Sequence, residues 1–314
     1  MQHRTVHHPA SSDHRANMIG ALWMIAAMAG FAVEDSFVKA TTATLPIGQV
    51  LVLFGLAGAV VFAFLASMRH EKLVTSDVLS VAMNIRVVFE VGGRLFYVLA
   101  LALIPLSAAT VILQATPIVV VAAAALLFHE KVGWRRWTAI VLGMCGVLVI
   151  LQPGTEGFSM LSLLAVAGML GFAGRDLASR AAPVSLGTAV LGFYGFLAVV
   201  VAGLIFALWS GTVFVMPDTY ALLLLAGAVG SGVIAYSCLM KAMRTGEVSA
   251  VTPFRYIRLI FGIGLGVVLF QERVTGWMMI GSVMIVLSGL FIMWRGKQKE
   301  ATTATSEIGD PGRT

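Results

Sequence analysis

The chain has 314 residues, of which 59% are hydrophobic and 11% are charged. Soluble domains carry about 25% charged residues, so this composition excludes an ordinary soluble protein and favours a polytopic helical membrane protein. The net charge of +6 does not indicate a nucleic-acid-binding protein, because the Lys and Arg residues outside the apolar runs cluster at the ends of those runs, as in membrane proteins.

Ten apolar runs follow one another with short connections. A helix needs about 20 apolar residues to cross ~30 Å of hydrocarbon, and the runs lack the alternation of transmembrane barrel strands. The sequence therefore predicts an all-α protein with ten transmembrane helices over residues 18–41, 47–68, 78–101, 105–128, 134–151, 158–181, 185–209, 220–242, 250–270 and 277–294. Polar tails are predicted at residues 1–17 and 296–314.

Lys and Arg near the ends of the runs predict the orientation. With both termini in the cytoplasm, thirteen of them face the cytoplasm, and only Lys39 and Arg273 face the outside. Cytoplasmic loops of membrane proteins carry such an excess of cations. We therefore expect a multi-pass protein of the bacterial inner membrane with both termini cytoplasmic.

The chain contains an internal repeat. Residues 30–40 (GFAVEDSFVKA) and 171–181 (GFAGRDLASRA) share Gly, Phe, Ala, Asp, a cation and Ala at the same six places, 141 residues apart. At an offset of 142, residues 107–110 (SAAT) match 249–252 (SAVT), and residues 127–132 (LFHEKV) match 269–274 (LFQERV). We therefore expect two five-helix repeats, at residues 18–152 and 158–295. Because five is odd, they must insert with opposite orientation, as in many secondary transporters.

These motifs resemble the EamA-like drug/metabolite transporter superfamily, over residues 18 to 294. The resemblance implies ten helices, a central substrate cavity lined mainly by the first four helices of each repeat, and peripheral fifth and tenth helices. It also implies transport of small organic metabolites, in either direction. It supplies no catalytic motif.

Several ionisable residues lie inside the predicted spans, where a charge costs at least ~2.5–3.5 kcal/mol. They must therefore face one another or a cavity. The nine residues are Glu34, Asp35, Arg86, Glu90, Arg94, Arg175, Asp176, Arg255 and Arg258.

The third span carries Arg86, Glu90 and Arg94 at intervals of four, which places them on one helix face. One interpretation is a ladder that neutralises itself and fixes helix packing. The other pairs one arginine with Glu90 and leaves the second to bind a substrate carboxylate or phosphate bidentately. We predict that the substrate contacts these three residues and Tyr97 of the same span.

The ninth span carries Arg255 and Arg258, which share a face at i and i+3, with Tyr256 between them. They either reach the cytoplasmic interface or bind an anion, and we predict that all three residues bind substrate. Five cations against four acids among the nine weakly favour an anionic or zwitterionic ligand. Phe31 and Phe172 could stack on a substrate ring, although core packing is the simpler interpretation.

The two copies of the repeated motif suggest gating residues. The candidates are Glu34, Asp35, Lys39, Arg175, Asp176 and Arg180. Asp35 could pair structurally with Lys39, and Asp176 with Arg180, one turn later. Alternatively, each pair forms in one state of an alternating-access cycle. Coupling to a proton through Glu34, Asp35 or Glu90, or to another ion, is a third possibility.

The resulting hypothesis is a secondary transporter of a small polar, amino-acid-like metabolite, zwitterionic or anionic. The alternative is an uptake permease for a vitamin or nucleoside-like compound of the riboflavin or S-adenosylmethionine type. A membrane-embedded enzyme is disfavoured because no span interior contains His, and a non-transporting scaffold would not need so many buried charges. We predict no cofactor and no metal.

Two further predictions concern the helices themselves. Gly143 and Gly146 on the fifth span permit close helix contact, either within the protein or in a homodimer. Pro117 and Pro253 are not equivalent under the repeat offset, so the fourth and ninth spans should bend differently.

Overall fold

The computed structural model describes residues 10–127, 133–152, 159–180, 183, 185–245 and 251–308. These residues form helices and turns, with no strand among them. The α-helices are α1 (Ala10–Thr42), α2 (Ile47–Met68), α3 (Val81–Leu103), α4 (Leu106–Leu113), α5 (Thr116–Leu127), α6 (Trp134–Leu151), α7 (Ser162–Arg180), α8 (Thr188–Ser210), α9 (Thr219–Thr245), α10 (Arg258–Phe270) and α11 (Gly276–Ile308). Two 3₁₀ helices cover Ser76–Leu79 and Thr252–Ile257.

Within the described ranges, six stretches are long and apolar enough to cross a membrane by themselves: Arg15–Thr42, Ile47–Met68, Leu106–Leu127, Thr188–Ser210, Thr219–Leu239 and Thr252–Phe270. Two shorter apolar helices, Trp137–Leu151 and Gly276–Ile292, correspond to the fifth and tenth predicted spans. The third and sixth predicted spans, α3 and α7, carry three charged residues each. Together these elements form the predicted ten-helix membrane protein.

The two halves of the chain interlock. Helix α1 packs mainly on α9, α3 on α7, α2 on α8, and α6 on α11. The first and third helices of each repeat thus pack on the third and first helices of the other, while the second and fifth helices pack on their own counterparts. This exchange is the pattern that a two-fold axis between inverted repeats produces.

The glycine that begins the repeated motif permits these crossings. A Cβ atom on Gly171 of α7 would collide with the backbone of Gly93 on α3, and one on Gly30 of α1 would collide with Ala235 of α9. Gly93 and Ala235 are themselves 142 residues apart. Small residues let the backbones of membrane helices approach closely, so the motif specifies equivalent helix crossings in both repeats.

Both fourth helices of the repeats are interrupted. Helix α4 ends at Leu113 and α5 begins at Thr116, whereas in the second repeat a 3₁₀ helix precedes α10, which begins at Arg258. Thr116 and Arg258 are 142 residues apart, so the α-helix restarts at equivalent places. The interruptions nevertheless differ in geometry, as the unequal proline positions predict. Broken helices of this kind line substrate sites in secondary transporters.

The terminal helices are longer than predicted. Helix α1 begins at Ala10, inside the predicted polar tail, and α11 continues to Ile308, well beyond the predicted span end at residue 294. Hydropathy marks the membrane-embedded part of a helix, but a helix continues until a residue breaks it. In the sequence, Pro9 precedes α1, and Gly309 and Pro311 follow α11.

Candidate functional site

The nine charges predicted inside the spans lie on α1, α3, α7, α10 and the 3₁₀ helix before α10, and each is buried or half-buried. The structure brings most of them together in two clusters. The Asp35 cluster contains Glu34, Asp35, Arg94, Tyr97 and Arg258. The Glu90 cluster contains Arg86, Glu90, Arg175, Asp176 and Ser179.

The Asp35 cluster connects the two repeats. Oδ2 of Asp35 lies 2.5 Å from Nη2 of Arg258 and accepts a hydrogen bond of 2.9 Å from the Tyr97 hydroxyl. Nη1 of Arg94 lies 3.3 Å from Oε1 of Glu34. The Nε atoms of Arg94 and Arg258 are buried and have no hydrogen-bond partner among the described residues, so each guanidinium keeps an N–H group available.

The Glu90 cluster holds two arginines around one glutamate. Oε1 of Glu90 lies 3.4 Å from Nη1 of Arg175, and its Oε2 lies 3.9 Å from Nη2 of Arg86. Arg175 also contacts Asp176 at 2.8 Å, and Arg86 Nε donates to the Ser179 hydroxyl at 3.0 Å. The ladder on α3 is therefore not self-contained in this conformation: Arg86 contacts Glu90 within α3, but Glu90 also pairs with Arg175, and Arg94 pairs with Glu34 of another helix.

Repeat symmetry explains why the clusters differ. Glu34 corresponds to Arg175 at the 141 offset, and Glu90 corresponds to Gly232 at the 142 offset. A Cβ on Gly232 would contact the Glu34 carboxylate. In the second repeat, a glycine therefore stands where the first repeat has Glu90. Glu34 pairs with Arg94 of α3. Glu34 and Arg175 thus carry opposite charges at equivalent positions, whereas Asp35 and Asp176 carry the same charge, and each cluster contains two cations and two acids.

Two phenylalanines at equivalent repeat positions contact the arginines. The guanidinium carbon of Arg258 lies 5.3 Å from the ring centroid of Phe31. Those of Arg94 and Arg175 lie 5.8 Å and 4.8 Å from the ring centroid of Phe172. Cations are attracted to aromatic faces at such distances. Phe172 thus lies between the two clusters, a position that the sequence did not indicate.

Arg255 is the one residue of the nine predicted intramembrane charges that belongs to neither cluster. No carboxylate of the described ranges forms an ion pair with it. It interacts electrostatically with Asp176 and Arg175 of one cluster and with Arg258 of the other, so it lies near both clusters. Its carbonyl oxygen accepts a 3.0 Å hydrogen bond from Gln114 Nε2, which ties the two broken helices together.

Tyr256 does not lie with the arginines. In a 3₁₀ helix, residues three apart lie above one another, so Arg255 and Arg258 share a side and Tyr256 points elsewhere. Tyr256 is 6% exposed, and a Cβ on Gly289 of α11 would collide with its hydroxyl. The structure thus places Tyr256 against α11, and its contact with substrate stays a prediction. Tyr97 is 1% exposed and positions Asp35 from within the core.

Lys39 does not pair with Asp35. Its Nζ donates to the carbonyl oxygens of Leu101 at 2.8 Å and Ile104 at 2.6 Å, where it satisfies the last carbonyls of α3. The predicted Asp35–Lys39 pair is therefore wrong in this conformation. Arg180 ends α7, but its side chain lies outside the described residues, as does Glu130 in the other copy of the Glu272 motif.

Glu272 has a capping role that the sequence reasoning missed. Its Oε1 accepts from the Leu106 amide at 2.5 Å, and its Oε2 accepts from the amide of Ser107 at 2.9 Å and the hydroxyl of Ser107 at 2.7 Å. A carboxylate at a helix N-terminus satisfies unpaired N–H groups and interacts favourably with the helix dipole. Glu272 thus joins the end of α10 to the start of α4. The repeated Ser and Glu were visible in the sequence, but nothing there indicated that they meet across the repeats.

Comparison with known proteins identifies the family. The sequence profile of the EamA-like transporter family matches residues 18–152 and 159–294.

This chain belongs to the EamA-like transporter family.

Relatives of this EamA-like protein are transporters of different small metabolites. It is 28% identical over 300 residues to the riboflavin transporter of Vibrio cholerae, covering 93% of this chain and 96% of that one. It is 25% identical over 217 residues to the S-adenosylmethionine uptake transporter of Rickettsia prowazekii, covering 68% and 72%. It is 28% identical over 275 residues to the pseudopaline exporter CntI of Pseudomonas aeruginosa, covering 86% and 94%.

One solved crystal structure has the same fold, with a TM-score of 0.58 at 21% identity, covering 89% of this chain and 98% of that one. Family membership and the names of the relatives point to a transporter of small metabolites rather than an enzyme. The apolar helices and bacterial relatives support a multi-pass inner-membrane protein. Among the described residues, no group of three or more His, Cys, Asp or Glu could hold a metal ion.

Proposed function

We propose that this EamA-like protein is a secondary transporter that moves a small zwitterionic or anionic metabolite across the inner membrane by alternating access. The observation that carries the proposal is Arg255. Arg255 is a half-buried residue near two neutral clusters, and no carboxylate of the described residues pairs with it. Such a cation is costly inside a membrane, and a substrate carboxylate or phosphate would neutralise it.

Arginine suits this role because its planar fork binds a carboxylate or phosphate bidentately. The neighbouring arginines add donors, since Nε of Arg94 and Nε of Arg258 are buried and have no partner in the part of the chain that the structure describes. An anion between the clusters could therefore be bound by Arg255 and by groups that do not have to leave their present ion pairs. Arg86, Glu90, Arg94 and Arg258 remain proposed substrate-site residues on this basis.

A second candidate function is uptake of a vitamin or nucleoside-like compound. Two relatives with such names, the riboflavin and S-adenosylmethionine transporters, support it. Phe172 also supports it, because a planar ring could replace one of the arginines that contact its face. S-adenosylmethionine has both an amino-acid carboxylate and a ring system, so it would suit Arg255 and Phe172 together.

The Asp35–Arg258 pair is the proposed gating contact. It joins α1 of the first repeat to α10 of the second, so relative movement of the repeats must stretch or break it. The equivalent of Arg258 in the first repeat is Thr116, which cannot form the same pair with Asp176. The two halves of the cycle should therefore use different contacts, with Asp176 held by Arg175. Energy from a proton or ion gradient, coupled through Glu34, Asp35 or Glu90, belongs to the same proposal.

A thermal-shift screen of purified protein tests the substrate proposal. Wild type, Arg255→Gln and Arg273→Gln are heated with amino acids, dicarboxylates, S-adenosylmethionine and riboflavin. A ligand at 100 times its dissociation constant stabilises the folded state by about 2.7 kcal/mol. Arg273 is an exposed cation outside the clusters, so it controls for loss of positive charge alone.

We expect ligands with one kind of anionic group to raise the melting temperature of wild type and Arg273→Gln but not of Arg255→Gln. An equal response in all three proteins would place the substrate away from Arg255. A response to riboflavin alone that survives in Arg255→Gln would favour the second candidate. If no ligand stabilises wild type, and liposomes containing it move none of them, the transporter proposal fails and a scaffold role gains support.

A further inference from the structure

Away from the charge clusters, an apolar groove runs between the peripheral helices α6 and α11. Its volume is about 490 Å³, within the range of sites that hold drug-sized apolar ligands. The residues that line it are Trp134, Arg135, Thr138, Ala139, Leu142, Met284, Leu287, Ser288 and Phe291. Nearly all of these surfaces are aliphatic or aromatic, so the groove suits a hydrocarbon chain.

The packing of α6 on α11 explains where the groove forms. A Cβ on Gly146 would collide with the carbonyl of Gly281, and one on Gly143 would contact Ser288. The helices are therefore close at these glycines, and the Ser288 hydroxyl donates to the Ala139 carbonyl. The small residues of α6 thus act within the protein, which is one of the two predicted alternatives. The groove extends towards the start of α6, where Trp134, Arg135 and Thr138 line it.

One end of the groove is cationic and aromatic. Arg135 lies in the first turn of α6, with its guanidinium carbon 5.5 Å from the ring centroid of Trp134. Trp134 is 72% exposed, as expected of a tryptophan at a membrane interface. Among the described carboxylates, none pairs with Arg135. Along the axis of α6, about 10 Å separates Arg135 from Leu142, which lines the deeper end of the groove.

We propose that this groove binds an anionic phospholipid of the cytoplasmic leaflet, with its phosphate at Arg135 and one acyl chain along the apolar lining. Charge complementarity supports this occupant, because basic pockets between transmembrane helices on the cytoplasmic side bind anionic head groups. The N-terminus of a helix also attracts anions through its dipole, and Arg135 lies in the first turn of α6. The predicted orientation places this end of α6 in the cytoplasmic leaflet.

Native mass spectrometry of the purified full chain tests the proposal. The protein is mixed with phosphatidylglycerol or phosphatidylcholine of identical acyl chains, and the bound fraction of each lipid is measured. One cation near an anionic lipid changes affinity about fivefold. We expect wild type to prefer phosphatidylglycerol by about that factor, Arg135→Gln to lose the preference, and Arg135→Lys to keep it.

Two further variants sharpen the test. Arg69→Gln removes another exposed cation, at the end of α2, and should leave the preference unchanged. Leu142→Trp fills the deeper part of the groove and should reduce binding of both lipids. An unchanged preference in Arg135→Gln would overturn the proposal, as would equal loss in Arg69→Gln. Dimers of wild type that Leu142→Trp abolishes would assign the groove to a second copy of the chain instead.

Discussion

The Asp35–Arg258 contact offers a demanding test of the site. The Asp35 side chain is 3% exposed and that of Arg258 is 16% exposed. If Arg258 is replaced by glutamine, the Asp35 carboxylate keeps the Tyr97 hydroxyl but loses its cation. If Asp35 is replaced by asparagine, Arg258 loses its carboxylate. Each single change leaves one buried charge without its partner.

Breaking a buried ion pair by removing one partner costs about 3–5 kcal/mol, whereas replacing both partners can be nearly neutral. We therefore expect Asp35→Asn and Arg258→Gln each to lower the free energy of unfolding by about 3–5 kcal/mol. The double variant should cost less than the sum of the two, by about 2–3 kcal/mol. At about 2 °C or more per kcal/mol, each single variant should melt at least ~6 °C below wild type.

Scanning fluorimetry in detergent measures these differences, and the repeat supplies a matched control. Asp176→Asn is the same substitution at the equivalent position of the second repeat, where the side chain is 32% exposed. A partly exposed pair contributes about 0–1 kcal/mol, so this variant should melt within a few degrees of wild type. Equal losses for Asp35→Asn and Asp176→Asn, or strictly additive single changes, would refute the interpretation of Asp35–Arg258 as a coupled buried pair.

Three further predictions test packing, capping and coupling. In thermal unfolding, the Gly171→Ala variant should be less stable than the Gly92→Ala variant by about 1–3 kcal/mol, the usual cost of overpacking. A Cβ at position 171 collides with the backbone of Gly93 on α3, whereas one at position 92 meets no atom within contact distance. Equal stability would contradict the close crossing. Glu272→Ala should cost about 0.5–2 kcal/mol through loss of the α4 cap, while Arg273→Ala should melt close to wild type. Glu34→Gln should abolish proton-driven uptake into liposomes but retain substrate exchange, and gradient-driven uptake equal to wild type would exclude Glu34 from coupling.

Much of the fold follows from local physical chemistry. A bilayer requires about 20 apolar residues for each helix, so hydropathy located the ten spans. The odd number of spans in each repeat required inversion. The Gly30 and Gly171 motif marked equivalent places in the two halves, and the structure shows them to be equivalent helix crossings. These features depend on short segments and on the membrane, which the sequence specifies directly.

The partners of the buried charges depend on the tertiary structure. Spacing along α3 placed Arg86, Glu90 and Arg94 on one face, but Arg94 pairs with a residue 60 positions away and Arg258 with one 223 positions away. A sequence shows which residues share a helix face, whereas the packing of ten helices decides which faces meet.

Local geometry also places two side chains, those of Tyr256 and Lys39, away from the neighbours that the sequence predicted for them. The 3₁₀ helix over Thr252–Ile257 turns Tyr256 away from Arg255 and Arg258, because it has three residues per turn rather than 3.6. Lys39 lies one turn after Asp35, yet the adjacent end of α3 offers it two carbonyl oxygens. The sequence by itself thus determined the membrane fold, its repeat and the set of buried charges. The tertiary structure alone decided their pairing, because ion pairs between helices depend on distances that no single helix contains.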